Sequence, residues 1–279
     1  MKLVMTLLVR DEQDIIRANI DYHLRQGVDF FLATDNKSVD ATPDILREYE
    51  SRGVLRYIFE GSDDYNQHAW VTRMARLAKI DHGADWVINN DADEFWWPLS
   101  GTLKETFSRV PPETNIVQAD RHNFVAVPES DEPFWSRMVY REKQSLNSLG
   151  KPLPSKVAHR GNASVKVDQG NHGVQGLDDP RTIEGLIEIL HYPVRSYQQI
   201  VNKIAKGGAA YGRNQELPET MGLTWRMLFE DLQRNGNLND FFEGNFYDEE
   251  RLTEKVAAGE LLLDERITEY FSRESVRLG

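Results

Sequence analysis

The sequence predicts an α/β fold with a mostly parallel central sheet and helices on both faces. Two features of residues 2–90 support this prediction: apolar runs of strand length alternate with amphipathic stretches of helix length, and a glycine follows each of those stretches. Strands separated by helical crossovers pair in parallel, and such sheets bind ligands at the carboxyl ends of their strands. The expected strands are Lys2–Val9, Val28–Thr34, Val54–Phe59 and Trp86–Asn90.

Three helices are expected between these strands. The first carries one apolar stripe and ends at Gly27. The second has Thr42 at the expected N-cap position, Pro43 at the first helical position and Gly53 just beyond its end. The third is expected over Asn66–His82, directly before the fourth strand.

Two carboxylates, Asp91 and Asp93, follow the apolar run Trp86–Asn90. Because they are spaced i, i+2 at a strand end, both point off the same edge of the sheet, where together they can hold one hard divalent cation. A cation held in this way typically bridges phosphates. The alternative is an ordinary solvated turn at the end of a strand.

Composition limits the classes of function. The chain has 279 residues, 40% of them apolar, which predicts one large domain or one domain with an appendage. Its net charge of -12 disfavours nonspecific nucleic-acid binding, although an acidic surface also simply aids solubility. Without cysteine the chain forms no disulfide and no thiolate metal site.

The sequence also gives an expectation of location. It contains no apolar run of membrane-spanning length, and its amino-terminal apolar run is only as long as a strand. We therefore expect a cytoplasmic protein without a transmembrane segment, which leaves open a peripheral association with the inner face of the membrane.

Several segments together resemble the nucleotide-binding half of a family 2-like bacterial glycosyltransferase with the GT-A fold. The resemblance covers roughly residues 2–98 and thins beyond them. Later segments resemble downstream landmarks of the same subfamily and of eukaryotic relatives once called domain of unknown function 23. The segments that carry the resemblance are Leu8–Glu12, Tyr22–Asp29, Asp35–Thr42, Trp86–Phe95, Lys156, Gly170–Val174, His191–Ser196 and Lys203.

The resemblance implies a metal-dependent glycosyltransferase of polysaccharide biosynthesis. Such an enzyme moves a sugar from a nucleoside-diphosphate sugar, here expected to be a UDP-sugar, to a glycan or lipid-linked hydroxyl acceptor, with inversion at the anomeric carbon. It also implies a division of the chain into a nucleotide-sugar-binding half (1–98), an acceptor-side and metal-closing half (99–215) and a C-terminal helical region (216–279).

The nucleotide is expected at the ends of the first two strands. Asp35 ends the second strand, where its carboxylate can accept a hydrogen bond from a base N–H or a ribose hydroxyl, and the resemblance implies that it contacts the base. Arg10 and Asp11 end the first strand beside it. Asn36 belongs to a loop that either closes over the nucleoside or is only an Asx-rich connection.

Basic residues are expected to assist this site. Arg73 and Gln67 lie on the helix that leads to the acidic strand, and the resemblance implies that polar residues of this helix surround the nucleotide; an exposed arginine on a helix is more often without such a role. Lys156, Arg195 and Lys203 are candidate counter-charges for the diphosphate, although each taken singly is more typical of a surface cation.

Mn2+ or Mg2+ is expected between Asp91 and Asp93, which also makes Asp93 a candidate catalytic residue. A third protein ligand would complete the site. His191 is expected to supply it, because in related folds a histidine on a late strand closes back on the first carboxylates, and the glycine-flanked His172 is the competitor. Either histidine alone is also compatible with a structural role.

The catalytic base and the acceptor site are less constrained. An inverting enzyme needs a carboxylate across the sugar from the leaving group. Asp178, Asp179 and Glu184 are candidates for this base by their distance along the chain, at a place where family 2 enzymes commonly carry a Glu-Asp pair. Trp97 follows the acidic strand and is a candidate for stacking on the acceptor, although most such aromatics are core residues.

Two other classes of function use similar residues. A haloacid-dehalogenase-type phosphatase also ends a strand with Asp-x-Asp, and its first Asp is a nucleophile. That strand usually lies near the amino terminus, whereas here three strand–helix units precede it. An inactive sugar-nucleotide or glycan-binding module is the other alternative, against which the intact Asp91 and Asp93 count.

Overall fold

The computed structural model describes residues 1–64, 66–146, 150–214, 218 and 222–278, with the side chains of 274–278 excepted. The strands are β1 (Leu3–Val9), β2 (Phe30–Asp35), β3 (Leu55–Phe59), β4 (Trp86–Asp91), β5 (Glu94–Pro98), β6 (Ile116–Asn123), β7 (Tyr140–Glu142), β8 (Lys156–Arg160), β9 (Lys166–Val167), β10 (Val174–Gln175), β11 (Thr182–Ile183), β12 (Ile187–His191) and β13 (Leu261–Leu263). The helices are α1 (Ile16–Arg25), α2 (Thr42–Ser51), α3 (Gln67–Ile80), α4 (Leu103–Arg109), α5 (Phe134–Arg137), α6 (Tyr197–Arg213), α7 (Leu223–Asn235), α8 (Asn239–Asn245), α9 (Glu249–Ala257) and α10 (Arg266–Leu278).

The described chain divides into two compact units. The first consists of Met1–Arg121 and Pro154–Leu190, and the second of His122–Leu153 and His191–Gly279. The predicted division at residue 98 stays a prediction, and the predicted boundary between 215 and 216 lies outside the described residues.

The first unit is built on a sheet with the strand order β3-β2-β1-β4-β8-β6-β12-β5, in which β11 also pairs with β6. β1 to β4 are mutually parallel, because a helix returns the chain to the same edge of the sheet after each strand. β8 runs antiparallel to both β4 and β6. The predicted α/β fold with a mostly parallel central sheet is confirmed.

The core explains why β1 is apolar on both faces. On one face Val4, Leu32 and Val87 pack against Met74 and its neighbours in α3. The alternate residues of β1 are buried as well, so the opposite face of the sheet is also covered. A strand buried on both sides reads as a continuous apolar run, which is how the sequence showed it.

The predicted helices are present with shifted ends. Gly27, Gly53 and Gly83 each follow a helix with a positive φ, as the sequence pattern indicated. The N-cap prediction for Thr42 is wrong, because Thr42 is the first residue of α2. Its N–H donates to the carboxylate of Asp40 (2.9 Å), so that Asp40 supplies the acceptor expected from Thr42.

The second unit is largely helical. Its core cluster contains Ile200 and Ile204 from α6, Leu228 from α7 and Leu238 before α8. A short sheet of β7 and β13 completes the unit. The helices of this unit include α6 and α7, in the region beyond residue 195.

Candidate active site

The carboxyl ends of β1, β2 and β4 meet at one edge of the sheet. In the register, Val9 lies beside Asp35 and Leu8 beside Asp91, so that these strand ends differ by a single residue. Arg10, directly after β1, therefore belongs to the same edge. We call this edge the carboxyl edge; it carries Arg10, Asp35 and Asp91, as the sequence predicted.

The segment Asp91–Glu94, which we call the acidic turn, is held from beneath by buried amides. Asn19 of α1 donates through its Nδ2 to the carbonyl oxygens of Ala92 (2.9 Å) and Glu94 (2.8 Å). Asn90 donates to the Glu94 carbonyl (3.2 Å) and accepts a hydrogen bond from the indole Nε1–H of Trp96 (2.9 Å). These bonds fix the backbone of the turn without engaging its carboxylates.

The three carboxylates of the acidic turn differ in exposure. The Asp91 side chain is 29% exposed, Asp93 is 4% exposed as a residue, and the Glu94 side chain is fully buried. Only Asp91 combines a position at the strand end with substantial access to solvent. It is the member of the set that a ligand from solution can reach first.

Two cations, the buried Lys156 and the partly buried Arg121, lie beside the carboxylates of this turn. The Lys156 ammonium forms an ion pair with Asp91 Oδ2 and lies 3.2 Å from Glu94 Oε1. The guanidinium of Arg121, near the end of β6, lies 3.6 Å from the same Glu94 oxygen. Lys156 starts β8, the strand inserted between β4 and β6, and for this reason it lies beside Asp91 although it is distant in sequence.

The loop 168–173 lies beside Asp91. Asn171 donates to Asp91 Oδ1 (3.2 Å), and Gln67 of α3 donates to the same oxygen over a longer distance of 3.5 Å. Gln67 also accepts the backbone N–H of Gly170 (3.0 Å), which ties the loop to α3. A Cβ at Gly170 would lie 2.6 Å from His172 Nε2 at a φ of +76°, so this turn requires glycine.

His172 is held neutral in this loop. Burial and, to a smaller extent, the charge of Lys156 lower its pKa to about 4, while the charge of Asp91 acts in the opposite direction. Its Nδ1 lies 2.9 Å from the carbonyl oxygen of Ser155, so Nδ1 carries the proton and Nε2 is the acceptor. The structure thus brings His172 to the acidic turn.

His191 is oriented by a different pair of residues in the second unit. Its Nδ1 lies 2.7 Å from Asn123 Oδ1, and the Asn123 amide in turn donates to Glu142 Oε2 (3.2 Å). Because the bond to Glu142 fixes the amide orientation, His191 carries its proton on Nδ1. Lys203, also in this unit, lies on α6 with its ammonium 5.9 Å from the ring centroid of Trp225.

On the expected nucleoside side of the carboxyl edge, Asp35 and Asn36 form hydrogen bonds to other residues of the protein. Asp35 is 1% exposed, and its two oxygens accept the Ser38 N–H (3.0 Å) and the Tyr57 hydroxyl (2.8 Å). Burial, followed by the hydrogen bond and the charge of Asp35, raises the pKa of Tyr57 to about 12. Asn36 donates to the carbonyl oxygens of Glu60 (3.2 Å) and Ser62 (2.6 Å).

The neighbouring charged residues also hold loops in place. Asp11 has a φ of +55° and accepts the Val39 N–H (2.8 Å), and Arg10 donates to Asp63 (2.7 Å). The exposed Arg73 donates to Glu60 (3.1 Å). All of these residues surround the chain segments that leave β2 and β3.

The structure does not bring Asp178 and Asp179 to the acidic turn. Asn115, directly before β6, donates to both of their carbonyl oxygens (3.0 and 3.2 Å). Through β8, the start of β6 is aligned with the start of β4. Asp91 ends β4, about 16 Å away along the strand. The two candidate bases therefore lie at the opposite edge of the sheet.

Trp97 lies on β5 and is partly buried. Its ring stacks with that of Tyr22 at a centroid distance of 6.1 Å and an interplanar angle of 17°. Trp96, its neighbour, is fully buried. The ring of Trp97, the predicted acceptor residue, thus also packs α1 against β5.

A divalent cation at the acidic turn is compatible with the residues present. Among the described residues, no group of three or more His, Asp or Glu side chains is arranged as a complete metal site. Mg2+ and Mn2+ bound with a nucleotide need only one or two carboxylates, because phosphates and waters complete the shell. Asn171 Oδ1, buried and without a hydrogen-bond partner in the part of the chain that is described, is a further hard oxygen donor beside Asp91.

The surrounding charges favour such an ion when a diphosphate binds. The acidic turn brings three carboxylates together, and Lys156 and Arg121 form ion pairs with two of them, Asp91 and Glu94. A diphosphate adds further negative charge to this edge. A divalent cation offsets that added charge, so the residues fit the predicted ion.

The sequence prediction missed several residues of this site. Asn19 was not identified at all. Gln67 was considered only as a polar residue on the helix before the acidic strand, Asn171 only as part of the segment Gly170–Val174, and Lys156 only as one of several counter-charges. One signal was available: Asn19 lies among the apolar residues of α1 and is buried with them. A buried amide in an apolar stripe needs a polar partner, which here is the acidic turn.

Within the described residues, none of the helices has the length and the apolar character needed to span a bilayer. A family model described as glycosyltransferase family 92 matches residues 4–221. No curated protein sequence shows significant similarity to the chain. The resemblance to family 2-like enzymes and to the former domain of unknown function 23 stays a prediction.

Several solved structures share similarity with the chain. Staphylococcus aureus TarS 1–349 in complex with UDP is 9% identical, with a TM-score of 0.45 over 84% of this chain and 72% of that one. A second structure of TarS 1–349 is 12% identical, with a TM-score of 0.41 over 58% of this chain and 47% of that one, less than half its length. The mannosyltransferase PcManGT from Pyrobaculum calidifontis, in complex with GDP-Man and Mn2+, is 13% identical, with a TM-score of 0.42 over 81% and 68%.

Proposed function

The chain belongs to glycosyltransferase family 92, and we propose that it transfers a sugar from a nucleoside-diphosphate sugar to a hydroxyl acceptor at the carboxyl edge. The observation that carries this proposal is the position of the partly exposed Asp91, at the edge where open α/β sheets bind their ligands. The family is one of transferases, which decides against the phosphatase alternative.

The donor is proposed to be a UDP-sugar with its nucleoside at the ends of β1 and β2. Asp35 and Asn36 determine the paths of the loops after β2 and β3, and Arg10 and Asp11 hold the adjoining segments. Since both Asp35 oxygens already have donors, a base contact uses a second lone pair of the carboxylate or the loop that Asp35 holds. Arg73 is proposed to contribute to nucleoside binding indirectly, by holding Glu60 in the segment after β3 through a hydrogen bond.

The diphosphate is proposed to lie at the acidic turn. Asp91 and Asp93 would hold Mn2+ or Mg2+ there, and the ion when bound would supply Lewis-acid stabilisation of the leaving nucleoside diphosphate. Asn19 and Asn90 keep the turn in one conformation, so that no reorganisation of its backbone is needed when the donor binds. The guanidinium of Arg121 offsets the negative charge of the buried Glu94 carboxylate in this turn.

The proposal extends to the acceptor and to the stereochemistry of the transfer. Inversion, and a glycan or lipid-linked acceptor, rest on the resemblance of the sequence. Trp97 is proposed to offer its accessible part to the acceptor. His191 stays a proposed metal ligand, and Lys203 stays a proposed counter-charge for the diphosphate. Asp178 and Asp179 are not included, because they lie at the opposite edge of the sheet.

Donor turnover tests the proposed reaction. The purified chain would be incubated with UDP-glucose, UDP-N-acetylglucosamine and GDP-mannose, each with Mn2+, with Mg2+ or with EDTA, and nucleotide release would be measured. We expect release from a UDP-sugar that depends on the divalent ion and is lost in Asp91→Asn. Asp81→Asn is the matched control, since Asp81 is an exposed carboxylate paired with Arg56 away from the carboxyl edge. Equal release by the parent and Asp91→Asn would refute the site.

A further inference from the structure

Beside the acidic turn lies a buried lysine, Lys156, to which the proposed reaction assigns no role. Lys156 is 1% exposed, and its ammonium is ion-paired with Asp91 and lies 3.2 Å from Glu94. A buried ammonium is costly unless it is paired. Its position therefore depends on these two carboxylates.

The two partners of Lys156 differ in what can reach them. Glu94 is fully buried and has a second cation, Arg121, at 3.6 Å. Asp91 lies at the strand end with 29% of its side chain exposed, and its other oxygen accepts hydrogen bonds from the amides of Asn171 and Gln67. Lys156 thus has one partner that solvent does not reach and one that a ligand can reach.

We infer that Lys156 makes the binding of a divalent cation at Asp91 depend on the nucleoside diphosphate. This inference rests on the proposed function. Without the donor, the ammonium neutralises Asp91 and repels an incoming dication at short range. A diphosphate oxygen is an alternative acceptor for the ammonium, which has three donors and retains Glu94. Once Lys156 turns to the diphosphate, the Asp91 carboxylate becomes available to the cation.

The competing explanation is that Lys156 only neutralises Glu94 in the core. The two explanations differ in their consequences for the metal. A lysine that only supports the core does not lower the affinity of Asp91 for Mn2+, so removing its charge leaves that affinity unchanged or weakens it. A lysine that competes with the metal lowers the affinity, so removing its charge raises it.

The test measures Mn2+ binding to the full chain from the electron paramagnetic resonance signal of free Mn2+, with and without UDP. The variants are Lys156→Gln and the control Lys104→Gln, which removes a lysine from a surface ion pair with Asp29. We expect Lys156→Gln to bind Mn2+ about tenfold more tightly than the parent in the absence of UDP, as loss of a unit charge a few ångströms away implies. The tightening of Mn2+ binding by UDP should shrink by the same factor. Lys104→Gln should match the parent.

Unchanged or weaker Mn2+ binding by Lys156→Gln without UDP overturns the inference. Thermal unfolding would verify that the variant is folded; if it is not, Lys156→Met removes the same charge, keeps an aliphatic side chain in the core and leaves Glu94 paired with Arg121, and the same increase in affinity is expected. The failure of the proposed function looks different. In that case UDP does not bind at any Mn2+ concentration, while the Mn2+ titrations without UDP still decide the role of Lys156.

Discussion

The hydroxyl of Tyr57 donates a hydrogen bond of 2.8 Å to Asp35 Oδ2, and this bond joins the last residue of β2 to β3. The other Asp35 oxygen accepts the N–H of Ser38 in the following loop. One buried carboxylate therefore holds both the neighbouring strand and the loop on the nucleoside side of the carboxyl edge.

The first prediction follows from this contact. Asp35→Ala should weaken the binding of UDP in the presence of Mn2+ by about tenfold or more, because the loop after β2 loses its anchor. The binding of inorganic diphosphate with Mn2+ should change much less, since the acidic turn is untouched. Isothermal titration of both ligands measures the difference.

Tyr57→Phe is the matched control for Asp35→Ala. It removes one hydrogen bond to the carboxylate and keeps the carboxylate itself, so its effect on UDP binding should be smaller. Equal losses for UDP and inorganic diphosphate in Asp35→Ala would show that Asp35 does not act on the nucleoside.

A second prediction concerns pH. Burial lowers the pKa of His23 to about 3 and that of His159 to about 4, whereas an unfolded histidine titrates near 6.5. The unfolded chain therefore binds more protons below about pH 6.5. The stabilisation is complete above that pH and is lost as the pH falls towards 4.

Urea denaturation at pH 7, 6 and 5 measures this effect. Between pH 6 and 5, His23 and His159 together should lower the free energy of unfolding by about 2 kcal/mol, and the neutral His172 adds to this change in the same direction. Mg2+ and Mn2+ should be absent, so that only the protein titrates. A free energy of unfolding that stays level from pH 7 to pH 5 is incompatible with these buried neutral rings.

The third prediction separates the two candidate metal histidines. His191→Ala should raise the Mn2+ concentration needed for half-maximal turnover, because its Nδ1–H is engaged by Asn123 and its Nε2 is the nitrogen suited to a metal. His172→Ala should instead lower turnover at saturating Mn2+, because its neutral ring lies beside Asp91 and Lys156.

Asn123→Ala provides the control, since it removes only the residue that orients His191. It should shift the Mn2+ requirement in the same direction as His191→Ala, but less. If His172→Ala changes the Mn2+ requirement and His191→Ala does not, the two roles must be exchanged.

The sequence predicted the part of the fold that local patterns determine. β1 to β4 and α1 to α3 follow from apolar periodicity and from glycines at the helix ends, and the position of Asp91 at a strand end follows from the end of an apolar run. Parallel order then places Asp35 and Asp91 on one edge without any knowledge of side-chain contacts.

The remaining features depend on contacts that local patterns do not encode. Lys156 meets Asp91 across 65 positions of sequence, because β8 is inserted antiparallel beside β4. The same insertion determines where Asp178 and Asp179 lie. Their distance along the chain does not indicate which edge of the sheet they reach. A pairing order of this kind follows from the packing of the whole unit.

The binding of UDP to the parent and to Asp91→Asn, each with Mn2+ and with EDTA, tests the central claim most directly. We expect the parent to bind UDP at least tenfold more tightly with Mn2+ than with EDTA. Asp91→Asn, and Asp93→Asn likewise, should remain folded and lose this difference, because the carboxylate that holds the ion is gone. If Asp91→Asn keeps the full Mn2+ dependence of UDP binding, the acidic turn is not the site at which the nucleoside diphosphate and its cation bind.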